Sequence, residues 1–426
     1  MVRSASCHFL GLWTPSHADP SGGRCPIPPA YSRGLWHSPP GAGLSAAGNG
    51  CQGGGMRILI VGAGIVGAAL ADRLTRPDRR ITIVEGLSPG AGTSGTSYAW
   101  LNANDPRDPV YHRFRTEALR AWRELAAGLG DPDWYRPTGN TVWATGGAKA
   151  ELAERVRRLT ALGYAAERID AGGLRAIEPH IRVPDDAFIA HFPDEGHIRG
   201  EPAARSLVRR AEEAGAEVVT GHRAARLTLD GDRVTGVRLD DGRDVPADLT
   251  VCAAGRHGPA LLATAGLTLP LVDPAAPGSA APCLVATTTA TDTVLNGLVH
   301  APGLSARAAG NGGLVLEAVD LDAGIDESVS PDRVREVGAE LLTRGRAVIP
   351  GLDADIAEMR RCVRPLPVDG YPLIGPQAPG LYTAVTHSGI TLAPHLAALI
   401  DREIDGDPVP ELAPYRPDRP LTNTGS

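Results

Sequence analysis

The clearest signal along the chain is a change of hydrophobic period between residues 58 and 85. Ile58-Leu59-Ile60-Val61 is a continuous β-prone run, the pattern of a strand covered on both faces. Ile65–Leu74 then takes helical spacing, with apolar residues at Val66, Ala69, Leu70 and Leu74. Ile81-Thr82-Ile83-Val84 returns to a strand and stops at Glu85. Strand, tight turn, helix and strand open an α/β layered domain. Amphipathic spacing predicts helices over 110–129, 149–163 and 202–214. A strand, Asn140–Ala144, separates the first two, and another, Glu217–Thr220, follows the third. Segments 224–229 and 233–240 flank Asp230-Gly231-Asp232 as a hairpin, with a further turn at Asp241-Gly242. Val245–Cys252 leads into Ala253-Ala254-Gly255, a helix is expected near 331–344, strands near 356–368, and a closing helix over 389–404. Residues 265–350 show scattered β-prone pieces and little period, and no internal repeat is evident.

The length of 426 residues accommodates two or three domains, and 42% apolar residues can fill their cores. The formal net charge of −7 gives no reason to expect nucleic acid as a partner. Positive charge is nearly all arginine, Lys149 being the sole lysine. The arginine-rich pieces Arg155–Arg158 and Arg205–Arg210 read as solvated helix faces. No apolar run approaches the roughly 18 residues of a transmembrane helix, and Met1–Leu12 lacks the core and cleavage site of a secretory signal. Cys7, Cys25, Cys51, Cys252, Cys283 and Cys362 have neither metal-ligand spacing nor disulfide density. A cytoplasmic protein without a metal is expected. Residues 1–55 are rich in Gly, Pro and Ser without periodicity, and Met56 immediately precedes the first strand. They are expected to be a leader, disordered or outside the translated protein.

The first turn carries Gly62-Ala63-Gly64-Ile65-Val66-Gly67. In this G-x-G-x-x-G spacing the first glycine allows the tight turn out of the strand. The second lets a pyrophosphate approach the backbone, and the third brings helix close to sheet. The N–H groups of the first helical turn then stabilise phosphate charge. Glu85, 18 residues after Gly67 at the end of the second strand, stands where a carboxylate accepts hydrogen bonds from an adenosine ribose. Together these predict dinucleotide binding. The fingerprint alone does not separate FAD from NAD.

The C-terminal third does, by resemblance. Arg361-Cys362-Val363-Arg364-Pro365-Leu366-Pro367-Val368-Asp369-Gly370-Tyr371-Pro372-Leu373-Ile374-Gly375 resembles the RP-x-x-x-DG-x-P-x-IG block of the D-amino-acid oxidase, glycine oxidase and sarcosine oxidase (DAO) superfamily. Gly380-Leu381-Tyr382-Thr383-Ala384-Val385-Thr386-His387-Ser388-Gly389-Ile390-Thr391-Leu392-Ala393-Pro394 is similar to that family's second flavin motif, in which a glycine-bearing loop enters the last helix. Ser94-Gly95-Thr96-Ser97 resembles its pyrophosphate- and flavin-contacting loop, and Val251–Gly255 its late strand-plus-glycine signature, with Ala254 and Gly255 near the cofactor. Val218 and Val219 fall where the family makes a backbone contact to adenine.

The resemblance implies an α/β fold: a Rossmann-like, glutathione-reductase-like FAD-binding domain with an interleaved α+β substrate domain on a mostly antiparallel sheet. By it, residues 56–115, 195–264 and 351–405 form the FAD-binding domain, 116–194 and 265–350 the substrate domain, and 406–426 a C-terminal tail. It implies FAD, bound non-covalently, and oxidation of an amine or amino acid by hydride transfer to the flavin, with O2 or another electron acceptor. Gly62–Gly67, Glu85, Ser94–Ser97, Val219, Ala254, Gly255, Gly389, Ile390 and Thr391 would hold the cofactor. Arg364 would bind the substrate carboxylate or else serve structure, and His387 would bind substrate, tune the flavin, or be structural. Thr391 replaces a carboxylate-binding lysine of sarcosine oxidase-like members, which argues against a plain sarcosine oxidase. Cys362 falls where sarcosine oxidases attach FAD, although a small buried hydrophobe is the commoner role of a lone cysteine. The aromatics of Thr96–Asn104 either cover the flavin or pack beneath the loop. Two other readings remain open: a flavin-binding subunit needing partner chains, and a non-catalytic dinucleotide-binding protein.

Overall fold

A computed structural model describes residues 55–326 and 328–421. The expectation for residues 1–55 falls, Gly55 apart, outside the described residues. The strand Met56–Val61 lies at the middle of a six-stranded sheet. Its neighbours are Leu249–Cys252 on one side and Arg79–Glu85 on the other, both parallel to it. Glu217–Thr220 extends the sheet beyond Arg79–Glu85, also parallel. Leu381–Val385 pairs parallel to Leu249–Cys252, and Leu373–Ala378 closes the far edge antiparallel. Residues Ile58–Val61 are all buried, as their unbroken apolar run requires. Three helices cover one face of this sheet: Ile65–Leu74 packs against both Gly200–Glu213 and Gly389–Ile404.

The extended run at 245–252 is divided. Asp244–Pro246 belongs to a three-stranded antiparallel sheet with Ala224–Asp230 and Arg233–Leu239, while Leu249–Cys252 enters the parallel sheet. The Asp248 carboxylate marks the break, accepting the Arg57 main-chain N–H at 2.9 Å.

The second large sheet has eight strands, in the order Ile356–Val363, Pro282–Thr288, Leu314–Glu317, Leu304–Ala308, Leu298–Ala301, Asn140–Ala144, Phe188–Phe192 and Glu167–Ile169. Every pairing is antiparallel except Leu298–Ala301 against Asn140–Ala144. Along Pro282–Thr288, Leu284 and Ala286 face a core shared with the helix Pro331–Val348, whereas Cys283 and Val285 face a smaller cluster with Tyr98, Leu298, Val315 and Cys362. Both faces are covered, so the strand shows no polar alternation.

Three placements depart from the expected segment boundaries. Ile356–Val363, expected with the FAD-binding segments, pairs along Pro282–Thr288 in the eight-stranded sheet. Residues 406–421 are built into the protein: Leu412 and Tyr415 are buried, and Arg419 donates to the Asp369 carboxylate at 2.9 Å. The helix Pro109–Gly128 crosses the expected boundary at 115/116 and packs against Gly389–Ile404. Its N-terminus is capped by Asp108, whose carboxylate accepts from Val110 and Tyr111 N–H.

Candidate active site

Between the two large sheets lies a cavity of about 850 Å³. That volume is in the upper range for ligand pockets, as a dinucleotide requires. One end is formed by the turn after the first strand. Gly62 has φ +99°, and a Cβ there would meet the Ala253 carbonyl oxygen at 2.7 Å. A Cβ on Gly67 would meet the Gly62 carbonyl oxygen at 1.9 Å, so this helix can approach the turn only with glycine at that position. Gly64 differs, because its nearest neighbour would be the Ser94 hydroxyl at 3.3 Å, and it lines the cavity. The first turn of Ile65–Leu74 carries no acidic residue, and the Ile65 N–H donates to Ser94 Oγ at 2.9 Å. The turn therefore presents main-chain N–H groups and a hydroxyl to the cavity, with no acidic side chain in the first helical turn.

Glu85 lines the cavity from the end of the second strand. It accepts the Ala63 N–H at 2.8 Å and the Leu87 N–H at 2.9 Å, one at each carboxylate oxygen. Those bonds fix its orientation and leave lone pairs for hydroxyl donors.

Of the remaining residues expected at the cofactor, Ile65, Val66, Ser94, Ser97, Ala254, Gly255, Gly389, Ile390 and Thr391 line the cavity. Ala63, Gly67, Gly95, Thr96 and Val219 do not. Ala63 and Gly67 shape the turn from behind. The Gly95 carbonyl accepts from Arg360 Nη1 at 2.7 Å, and Thr96 Oγ1 donates to the Gly92 carbonyl at 3.3 Å. Arg223, Ala224 and Ala225, shortly after Val219 in the chain, line the cavity.

The other end of the cavity is made where the loop 97–102, the start of Gly389–Ile404 and the eight-stranded sheet meet. Ala99 has φ +60°, an uncommon conformation for a residue with a Cβ, and its carbonyl accepts the Ile198 N–H at 3.2 Å. Trp100 Nε1 donates to Glu195 at 3.0 Å. Glu195 is fully buried and also accepts from Asn104 at 3.3 Å, Asn140 at 2.9 Å and Tyr164 at 2.8 Å. Burial raises its carboxyl to about 7 despite those donors. The His300 ring, 4.2 Å from that of Trp100, packs against it. Tyr98 and Trp100 line the cavity and are themselves packed from behind. Thr391 Oγ1 donates to the Trp100 carbonyl at 3.3 Å, tying the loop to the last helix.

Arg364 and His387 both line this end. Arg364 Nη2 donates to the Ala280 carbonyl at 2.6 Å and Nε to the Ala281 carbonyl at 3.3 Å; the nearest carboxylate, Asp322, is 3.9 Å away. These bonds leave Nη1 without a hydrogen bond among the described residues. His387 is driven down to about 3, first by burial and then by Arg364 and Arg115, so it is neutral at physiological pH.

Several groups here were not anticipated. Arg115 is buried in the Pro109–Gly128 helix, with Nε donating to the Asn102 carbonyl at 3.1 Å and Nη2 to the Asn102 side chain. Glu317 lines the cavity, and burial followed by repulsion from Asp322 raises its carboxyl to about 8. Arg307 is buried beneath Tyr98, donating to the Tyr98 carbonyl at 2.6 Å. The available signals were slight: a charged residue on an otherwise apolar helix face, and one at the end of Leu314-Val315-Leu316. Arg155, expected on a solvated face, instead turns its guanidinium over the Phe192 ring at 5.8 Å. Arg205 and Arg209 are exposed and pair with Glu201 and Glu213.

A glycine-bearing strand–turn–helix at one end of the cavity and a mostly antiparallel sheet at the other define a dinucleotide-binding α/β fold. The chain belongs to the DAO family, described as FAD dependent oxidoreductase, which matches residues 57–402. It is 29% identical over 378 residues to the oxidoreductase YurR of Bacillus subtilis, spanning 84% of this chain and 98% of that one. It is 27% identical over 427 residues to a D-amino acid dehydrogenase of Methylobacterium nodulans, spanning 84% and 97%. The fold is similar to that of glycine oxidase from Geobacillus kaustophilus, with a TM-score of 0.74 at 22% identity over 86% of this chain and 100% of that one. Among the described residues no helix is long and apolar enough to cross a membrane, and no cluster of acidic, histidine or cysteine side chains is placed to hold a metal.

Proposed function

We propose that this chain oxidises an amino acid, or a closely related amine bearing a carboxylate, using FAD held non-covalently in the cavity. The observation that carries this reading is the convergence in one cavity of the Gly62–Val66 turn and the unused Nη1 donors of Arg364. Relatives described as D-amino acid dehydrogenase and glycine oxidase support the substrate class. Bound FAD supplies the hydride acceptor for the carbon that carries the amine.

The chain's own residues do the rest. The main-chain N–H groups of Gly64 and Val66, with the Ser94 hydroxyl held by Ile65 N–H, would hold the pyrophosphate, and Glu85 would take the ribose hydroxyls. Ser97, Gly389, Ile390 and Thr391 line the flavin end, where the N-terminus of the last helix favours negative charge on the reduced ring. Arg364 orients the substrate through its carboxylate. His387, being neutral, offers one hydrogen-bond donor and one acceptor rather than a charge. Trp100, fixed by Glu195, excludes water from that end.

Anaerobic mixing of the flavin-loaded protein with amino acids of both configurations and with N-methylated glycine tests this. At least one carboxylated amine should bleach the flavin, and Arg364→Ala should demand far more of it. Bleaching by amines without a carboxylate, but by none that carries one, would overturn the role of Arg364. Failure of every amine to bleach would overturn the reading.

A further inference from the structure

Two of the described cysteines are directly opposed across the cavity wall. Cys283 and Cys362 are Cα partners in the antiparallel pair formed by Pro282–Thr288 and Ile356–Val363, and both line the cavity. The hydrogen bond from Arg364 N to the Ala281 carbonyl marks the residues two positions away as a hydrogen-bonded pair. By alternation the cysteines occupy the next hydrogen-bonded position, where Cα atoms lie about 5.5 Å apart. That spacing is within the range a disulfide spans. Ile356–Val363 is the edge strand of its sheet, and the cysteines sit one residue from the end of the pairing. The sulfurs can therefore close the remaining gap by a small shift of a strand that is paired with another strand along one edge only.

The two thiols are not equivalent. Hydrogen bonding between them pushes Cys283 up and Cys362 down; Thr96 and Arg364 add to the downward pull on Cys362, against its burial. Cys362 is thus the thiol that ionises first, and the thiolate is the reactive form. Cys252 is buried elsewhere, off the cavity, and burial holds it up at about 11.

We propose that Cys283 and Cys362 form a peroxide-reactive dithiol that oxidises to a disulfide in the wall of the active-site cavity. The Cys362 thiolate attacks one oxygen of hydrogen peroxide, forming an S–O bond as the O–O bond breaks. The hydroxide released takes the Cys283 proton and leaves as water. The Cys283 thiolate then attacks the Cys362 sulfur, forming the S–S bond and expelling hydroxide, which takes a proton from solvent. One peroxide is reduced to two waters as two thiols give up two electrons. Arg364 lies two residues beyond Cys362, so the crosslink fixes the strand end that carries it. The inference is independent of which amine is oxidised.

The test uses the flavin-loaded wild-type protein. It is treated with hydrogen peroxide, quenched in acid, unfolded, alkylated and digested without reductant, and its peptides are weighed. A linked Cys283–Cys362 peptide pair, lighter by two hydrogens and released by dithiothreitol, is expected. It should form at least about tenfold faster than Cys252 is lost to alkylation, following thiolate character. In Cys283→Ala, Cys362 should proceed instead to sulfinic acid. Three results would overturn the proposal: both thiols remaining alkylatable, Cys362 reaching sulfinic acid unlinked in the wild-type chain, or a Cys362 peptide carrying the flavin.

Discussion

The two walls of the cavity address a ligand with different materials. The parallel-sheet wall uses main chain: turn N–H groups, a helix N-terminus, and one carboxylate whose orientation is fixed by backbone donors. The eight-stranded wall uses half-buried ionisable side chains, Glu317 and Arg364, brought together from the ends of strands far apart in the chain. A backbone site depends on residues that lack a side chain and tolerates little change of shape. A side-chain site depends on the charge state of its members, and so on pH.

The sharpest contrast lies within the first wall, between glycines that make the fold and the glycine that faces the ligand. Gly67→Val should destabilise the protein by more than about 3 kcal/mol, because its Cβ would overlap a backbone oxygen that cannot retreat. Gly64→Ala should stay within about 1 kcal/mol of wild type, yet lose FAD affinity by at least about tenfold, an effect of about 1.4 kcal/mol. Thermal unfolding and flavin titration on both variants separate the two roles. Equal loss of stability would erase the distinction.

On the second wall, Arg364→Ala should raise KM for a carboxylated substrate on the order of a hundredfold, the worth of about two charge-assisted hydrogen bonds. Steady-state kinetics would show it. An unchanged KM would return Arg364 to a purely structural role.

The same wall sets a pH dependence. Glu195 near 7, Asp322 near 7 and Glu317 near 8 hold their protons longer in the folded chain than the ordinary values of 4.5 and 3.8 allow. Their contribution is therefore complete below those ordinary values and is lost as pH rises through 7 to 8. Buried His197, His300 and His387, held down at about 2, 3 and 3, act oppositely: they stabilise above 6.5 and that contribution is lost as pH falls toward 3. Thermal midpoints of wild type and Glu317→Gln should diverge as pH falls below 8, the variant lacking part of the decline between 4.5 and 8. Parallel curves would show that Glu317 titrates normally.

A small effect is expected away from both walls. Asp108→Ala removes the cap of Pro109–Gly128 and should cost about 1 kcal/mol of stability. Because that helix carries Arg115, a change of substrate specificity in the variant would reveal coupling that the cap alone does not require.

The contrast also explains what could be read from the sequence. The first wall is local: strand, glycine turn, helix and Glu85 lie within thirty residues, and their spacing is their geometry. The closing helix was legible too, because Gly389–Ile404 keeps helical period and its preceding loop resembles a known motif. The strands at 282–288, 298–301, 304–308 and 314–317 are short and almost wholly buried, so the alternation that betrays a half-buried strand is missing. Their partners are distant as well, with Cys283 meeting Cys362 and Leu298 meeting Asn140. Arg115, Glu195 and Glu317 gain meaning only from that assembly, since a lone charge in an apolar stretch does not name its partners.

The absorption spectrum of the purified chain, before and after acid precipitation, tests the central claim most directly. Flavin bands at roughly 370 and 450 nm are expected, with the yellow colour passing to the supernatant as FAD. A colourless protein that fails to take up added FAD would contradict the cofactor site at Gly62–Val66. Colour retained in the precipitate would contradict non-covalent binding.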